Sequence, residues 1–206
     1  MAKDANGEKR PELREAVFQS ATRMFLDRPY EEVRIDDIAA DAGVAKGLAF
    51  YYFKNKRGLY VAVVRALLIE MAMRSIPDPK LPPRQREIAA VGAFVEWAAE
   101  TEGIEYIFSA WSTEAGAEGV FRDAADQVVS QTVAAMGDFP GGPGRADEVP
   151  MALLRRSIWG WMAFARIVTA DWLRQRDIEQ EELRDLLVGA LDGVVIAARS
   201  VAASAR

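Results

Sequence analysis

Residues 35–53 read IDDIAADAGVAKGLAFYYF, and this stretch breaks naturally into two short helices about one glycine. Ile38, Ala39 and Ala42 give a helix over about residues 36–42 a face of apolar and small side chains, which lets a second helix cross it closely. Gly43 supplies the left-handed stop that commonly ends a helix, and Val44 plugs the corner. A helix over about residues 45–52 then projects Lys46, Leu48 and Tyr51 outward. Phe50 and Phe53 are expected to anchor it against the preceding helix and residues 13–25. This is the pattern of a helix-turn-helix, whose second helix fits a DNA major groove with its N-terminal residues nearest the base edges.

Outward from that segment the chain reads as helix throughout, so the fold class is all-α. Leu13, Ala16, Val17, Ser20, Ala21, Met24 and Phe25 follow the spacing of an amphipathic helix, with Pro11 expected in its first turn and Asp27-Arg28-Pro29 ending it. Asn55 is placed to cap a long helix through Gly58, Tyr60, Val64, Leu67, Leu68 and Met71 that stops before Pro77. Residues 76–83 (IPDPKLPP) hold four prolines and make a stiff connector. Beyond it, helices are expected over about residues 84–100, 104–112, 118–136, 150–175 and 179–203. Residues 139–145 (FPGGPGR) form a turn-rich loop without the Gly-Lys-Ser/Thr ending that a phosphate-cradling loop needs. The resulting division is an arm over residues 1–10, expected to be disordered, a helix-turn-helix domain over 11–55, a linking helix over 56–76 and a second domain over 84–206.

Composition narrows the function. With 206 residues, half of them hydrophobic, the chain can bury a generous core. It holds no cysteine and no histidine, which removes thiolate chemistry, the commonest general base and the commonest metal ligand. No catalytic residue, metal or cofactor is therefore expected. Lacking a run of about 18 apolar residues, it is expected to have no membrane partner and to be cytoplasmic. The net charge of −5 is unevenly spread: residues 1–60 carry 11 basic and 10 acidic side chains, whereas residues 42–69 hold Lys46, Lys54, Lys56, Arg57 and Arg65 and no acid. Such a local cationic run on an acidic protein is an electrostatic footprint for nucleic acid.

Asp37-Ile38-Ala39, Ala42-Gly43-Val44, Lys46-Gly47, Tyr52-Phe53 and Lys56 with Leu59 stand in one register, and together they resemble the pattern of TetR-type (tetracycline-repressor-like) regulators over about residues 13–68. The resemblance implies an N-terminal three-helix DNA-binding domain and a C-terminal helical domain for ligand binding and dimerisation. It implies a transcriptional repressor that binds a double-stranded DNA operator as a homodimer through its last two helices, and that a small-molecule ligand releases. It also implies roles for matching positions. Lys46 would reach a guanine edge or a phosphate, Gly47 would allow close backbone approach, Leu48 would touch a thymine methyl, and Tyr51 would meet a phosphate or base. Lys56 would clamp a phosphate at the start of the long helix. Tyr52 and Lys54 fall in the same interface. Three positions depart from the pattern: Arg34 stands where threonine is frequent, Ala45 where serine is, and Phe50 where tyrosine is. Arg34 exchanges a cap for a possible phosphate contact, Ala45 loses a hydroxyl, and Phe50 can only pack or touch apolar base surface. Asp36 either reads a cytosine amino group or favours the dipole of its helix.

All five tryptophans (Trp97, Trp111, Trp159, Trp161, Trp172) lie in the second part. Aromatics at helical spacing are ordinarily core, but as a set they also suit an apolar ligand cavity. The candidates are Phe94, Trp97, Tyr106, Phe108, Trp111, Trp159 and Met162, with Met71 as an adaptable wall. Arg166 is expected to pair with Asp192 or another acid, or with an anionic ligand. Three other readings are possible. One is an enzyme using Glu96, Glu100, Glu102 or Glu114, none of which has an evident partner. Another is a regulator answering to a protein. The third is a membrane-surface helix bundle, which the acidic second part argues against.

Overall fold

The structure is a computed structural model that describes residues 5–110 and 149–204. Every element among them is helical: α1 (Ala5–Asp27), a 3-10 turn (Tyr30–Glu32), α2 (Ile35–Asp41), α3 (Lys46–Phe53), α4 (Lys56–Arg74), α5 (Pro83–Glu100), α6 (Ile104–Ala110), α7 (Met151–Gln175) and α8 (Gln180–Ser204). The expected helix over 118–136, the loop over 139–145 and Trp111 lie outside the described residues. Among the described residues two compact units result, one from residues 5–68 and 102–110, the other from 69–101 and 149–204.

The first unit is built on α1. Val17, Ala21 and Phe25 are spaced by four residues and are buried, as are Ile38 and Ala39 of α2 and Leu59, Tyr60 and Val63 of α4. Rings of Phe25, Tyr30 and Tyr60 meet at centroid distances of 5.9, 5.0 and 4.9 Å, and the Tyr60 hydroxyl donates to the Ile107 carbonyl at 3.4 Å. Buried Ser20 donates to the carbonyl of Ile38 at 3.1 Å, joining α1 to α2 without leaving its hydroxyl unpaired. Asn55 caps α4 as expected, its side-chain oxygen accepting the Gly58 N–H at 2.7 Å.

Two boundaries differ from the sequence reading. Helix α1 starts at Ala5, so Pro11, expected in its first turn, lies within it; a proline there removes one backbone donor. Helix α6 belongs to the first unit, not to the second. It packs on α1, with Ile104, Ile107 and Phe108 buried.

In the second unit α5, α7 and α8 pack together. Val91 and Val95 meet Ala165, Trp172, Leu183, Leu187 and Val188 in one cluster. Leu154 and Ile158 meet Leu191, Val195 and Ala198 in another. Indole N–H groups tie the helices to backbone: Trp161 donates to the Leu187 carbonyl at 2.9 Å, and Trp172 to the Ile178 carbonyl at 2.8 Å. Among the described residues α8 alone is long and apolar enough to cross a membrane. Its apolarity has two sides, however. Leu183, Leu187, Leu191 and Val195 are buried against neighbours, while Leu186, Ile196 and Val201 are exposed.

Candidate nucleic-acid interface

The turn between α2 and α3 follows from Gly43. Its φ of +67° is a conformation that side-chain-bearing residues rarely adopt. There the Val44 N–H reaches back to the Ala39 carbonyl at 2.9 Å, closing the six-residue loop typical of a helix ending on glycine. Ala45 then leads into α3 with no side-chain cap, and Arg34 likewise offers α2 none. Both departures from the usual cap thus leave first-turn N–H groups open to an outside acceptor.

Helix α3 has an inner and an outer side. Ala49 and Phe53, four residues apart, are buried. Lys46, Gly47, Phe50, Tyr51 and Lys54 are exposed, Tyr51 at 68%. Leu48 is half-buried. Phe53 is the anchor; Phe50, expected to share that task, is exposed because the turn of α3 that buries residues 49 and 53 swings residue 50 outward. Tyr52 is half-buried, its hydroxyl donating to the Arg10 carbonyl at 3.0 Å, and its ring meets that of Tyr51 edge-on at 5.4 Å. Arg14 covers the Phe53 ring at 5.2 Å. Arg10, Arg14 and Tyr52 line an open groove with Pro11, Glu12 and Glu15. The start of α1 therefore flanks α3, which no local motif in residues 5–15 signals.

Charge on this surface is paired in a definite way. Asp36, in the first turn of α2, forms ion pairs with two cations: one oxygen lies 2.7 Å from Lys46 Nζ and the other 3.7 Å from Arg34. Lys46 also lies 6.0 Å from the centre of the Phe50 ring. At the far end of α2, Asp41 pairs with Arg23 at 2.6 Å. The neighbouring Ser20 hydroxyl and then the Arg23 guanidinium hold its carboxyl below the usual carboxylate range. Two of the acids on α2 are thereby committed to cations, leaving Asp37 toward solvent.

Lys54 ends α3 with φ 64° and ψ −48°, and the Asn55 N–H donates across it to the Phe53 carbonyl at 2.8 Å. That is the rare, strained form of the three-residue turn. Lys56 lies 4.0 Å over the ring of Tyr30 and donates to the Glu31 carbonyl at 3.4 Å.

The residues expected to hold a small ligand are divided between the units. Tyr106, half-buried, and Phe108, buried, belong to the first; Met71, Phe94, Trp97, Trp159 and Met162 belong to the second. Within the second, Phe94 packs on the α5–α7–α8 cluster and Met162 on the α7–α8 cluster, and Trp97 is buried. Asp192 pairs with Arg84 at 2.7 Å. Glu100, one of the acids weighed for catalysis, is held by Arg74 at 2.7 Å. No group of acids that could hold a metal occurs among the described residues.

Residues 17–63, which include α2, α3 and the start of α4, match the family model of bacterial regulatory proteins of the tetR family. The chain is 33% identical over 106 residues to the HTH-type transcriptional activator FasR of Mycolicibacterium smegmatis, covering 48% of this chain and 47% of FasR. It is 26% identical over 90 residues to the HTH-type transcriptional repressor BepR of Brucella suis, covering 40% and 43%. These matches span less than half the length of either relative. The crystal structure of a tetR-family transcriptional regulator from Streptomyces coelicolor has the same fold, with a TM-score of 0.72 at 22% identity over 95% of this chain and 84% of that one.

Proposed function

This chain belongs to the tetR family of bacterial regulatory proteins, and from that premise we propose that it binds a double-stranded DNA operator through α3 and regulates transcription there. The observation that carries the reading is the outer side of α3, where Lys46, Gly47, Tyr51 and Lys54 are exposed at the start of an acid-free run. Lys46 and Gly47 form the first turn, the part of a recognition helix that comes nearest base edges. Arg34, Lys54 and Lys56 border the same side in sequence and supply phosphate contacts, which fix register without reading sequence. Phe50 contributes an apolar edge suited to a thymine methyl.

The working unit we propose is a homodimer through α7 and α8. Outward residues Leu186, Gly189, Gly193 and Ile196 of α8 alternate by three and four, and a Cβ added at Gly189 or Gly193 would meet open space. Gly160 on α7 is equally open, with Phe164 and Ile167 exposed beyond it. Glycines that the protomer's own packing does not need are suited to the close approach of a second copy. Two copies would set two α3 helices in successive major grooves about 34 Å apart.

Repression relieved by a small apolar or aromatic ligand is the regulatory mode we favour. Its support is the aromatic content of the second unit, together with the run of α4 through residues of both units, which offers a lever. Ligand would act by its different affinity for the DNA-competent and DNA-incompetent dimers. Such a regulator works in the cytoplasm, beside the chromosome.

Selection of bound duplexes from a random-sequence pool, followed by footprinting, tests the reading. The expected product is a two-fold related site protected on one DNA face, with half-site centres about 10 base pairs apart. A pool that shows no enrichment and no salt-dependent retention overturns it.

A further inference from the structure

We propose that Asp36 determines specificity by holding Lys46 as a paired cation, so that Lys46 reads base edges and is denied to phosphates. This rests on the DNA-binding reading above. The pair joins the first turn of α2 to the first residue of α3, with Lys46 Nζ 2.7 Å from one carboxylate oxygen and Arg34 3.7 Å from the other. Side chains of Lys46 and Asp36 remain 58% and 43% exposed. An ion pair this wet adds little to folding, so stability does not explain it. The dipole of α2 does not require it either, because Asp37 stands in the same first turn.

The effect on a ligand is asymmetric. An ammonium group has three donors, and the Asp36 carboxylate lies against one side of this one. Donors on its other side can reach the neutral O6 and N7 acceptors of a guanine while the ion pair persists. A phosphate is an anion, so at the same ammonium it meets the carboxylate as a like charge and must displace it. Asp36 therefore removes one cation from sequence-independent attraction, which governs binding to random DNA. Both of its oxygens face cations, so Asp36 reading a cytosine amino group itself would first have to give up Lys46.

The test compares the wild-type protein with Asp36→Asn, Lys46→Met and the double variant. Each is measured on a random-sequence duplex and on the site that the wild type selects, across a salt series. Asp36→Asn keeps the shape and removes the charge. It is expected to bind the random duplex about tenfold more tightly, with a salt slope steeper by about 0.9. The preference for the selected site should fall by a similar factor, and the gain on random DNA should vanish in the Lys46→Met background. Three outcomes overturn the proposal: weaker binding of Asp36→Asn to both duplexes, an altered preference at one base pair with random binding unchanged, or an equal gain without Lys46. A wild type that retains neither duplex overturns the DNA-binding reading and this inference with it. Thermal unfolding of each variant shows that the proteins compared are folded.

Discussion

The α-carbon of Gly103 faces the carbonyl of Leu26 so closely that a Cβ on it would fall 1.6 Å from that oxygen. With φ at +80°, the same residue makes the turn into α6, so neither backbone nor space admits a side chain. Gly103→Ala should lower stability by at least about 2 kcal/mol, or about 4–8 °C in the unfolding midpoint. Calorimetry checks this, and an unchanged midpoint would mean that α1 and α6 separate freely.

Lys54 sits in a strained turn where glycine would rest more easily. Lys54→Gly is expected to gain about 1 kcal/mol in stability. If Lys54 meets a phosphate, the same variant loses about 0.9 from the salt slope of DNA binding. A more stable protein with undiminished binding would separate the strain from DNA recognition.

Lys56 has its ammonium over Tyr30, so its removal mixes two effects. Lys56→Met keeps the aliphatic stem and loses the charge. The salt slope should fall by about one, with weaker binding at all sequences, and stability should drop by no more than about 1 kcal/mol. A loss confined to one sequence would assign Lys56 to base reading.

Ile196 is 64% exposed on the outward side of α8, where a charge costs the isolated protomer little. Ile196→Asp should shift sedimentation from dimer to monomer and abolish retention of a two-half-site duplex. A variant that sediments like the wild type would move the dimer contact off this stripe.

Glu87 gives a pH dependence. Burial pushes its carboxyl above the ordinary 4.5, against the pull of Arg84 at 2.9 Å. The folded protein then binds that proton more readily than the unfolded chain does. The contribution to stability is full below 4.5 and is lost as pH rises through the raised value. Glu87→Gln should flatten this decline and unfold at an equal or higher temperature near neutral pH. An unflattened decline would assign the slope to other groups.

Much of this was legible from residues alone, where one local cause decides the structure. Gly43 needed only its missing Cβ to place the α2–α3 turn, and Asn55 only its side-chain oxygen to place the start of α4. The inner side of α3 was readable from Phe53, but Phe50 depended on the rotation of a helix too short to fix its own phase. Partnerships across elements were less accessible. Asp36 is separated from Lys46 by ten residues, so its role depended on the crossing of two helices. The assignment of α6 to the first unit was hidden for the same reason: Ile104 and Ile107 show an apolar face, and nothing in them names α1 as its partner.

That assignment has a practical bearing on recombination between regulators. Because α6 lies with α1, the first unit is discontinuous along the chain, built from the described residues up to 68 and again from 102 to 110. Cutting after residue 68 would strip Ile104, Ile107 and Phe108 from their unit and leave Tyr60 without its carbonyl acceptor at Ile107. Grafting this unit onto a foreign sensor therefore takes two splices, and a chimera joined at the first alone would carry an unfinished core.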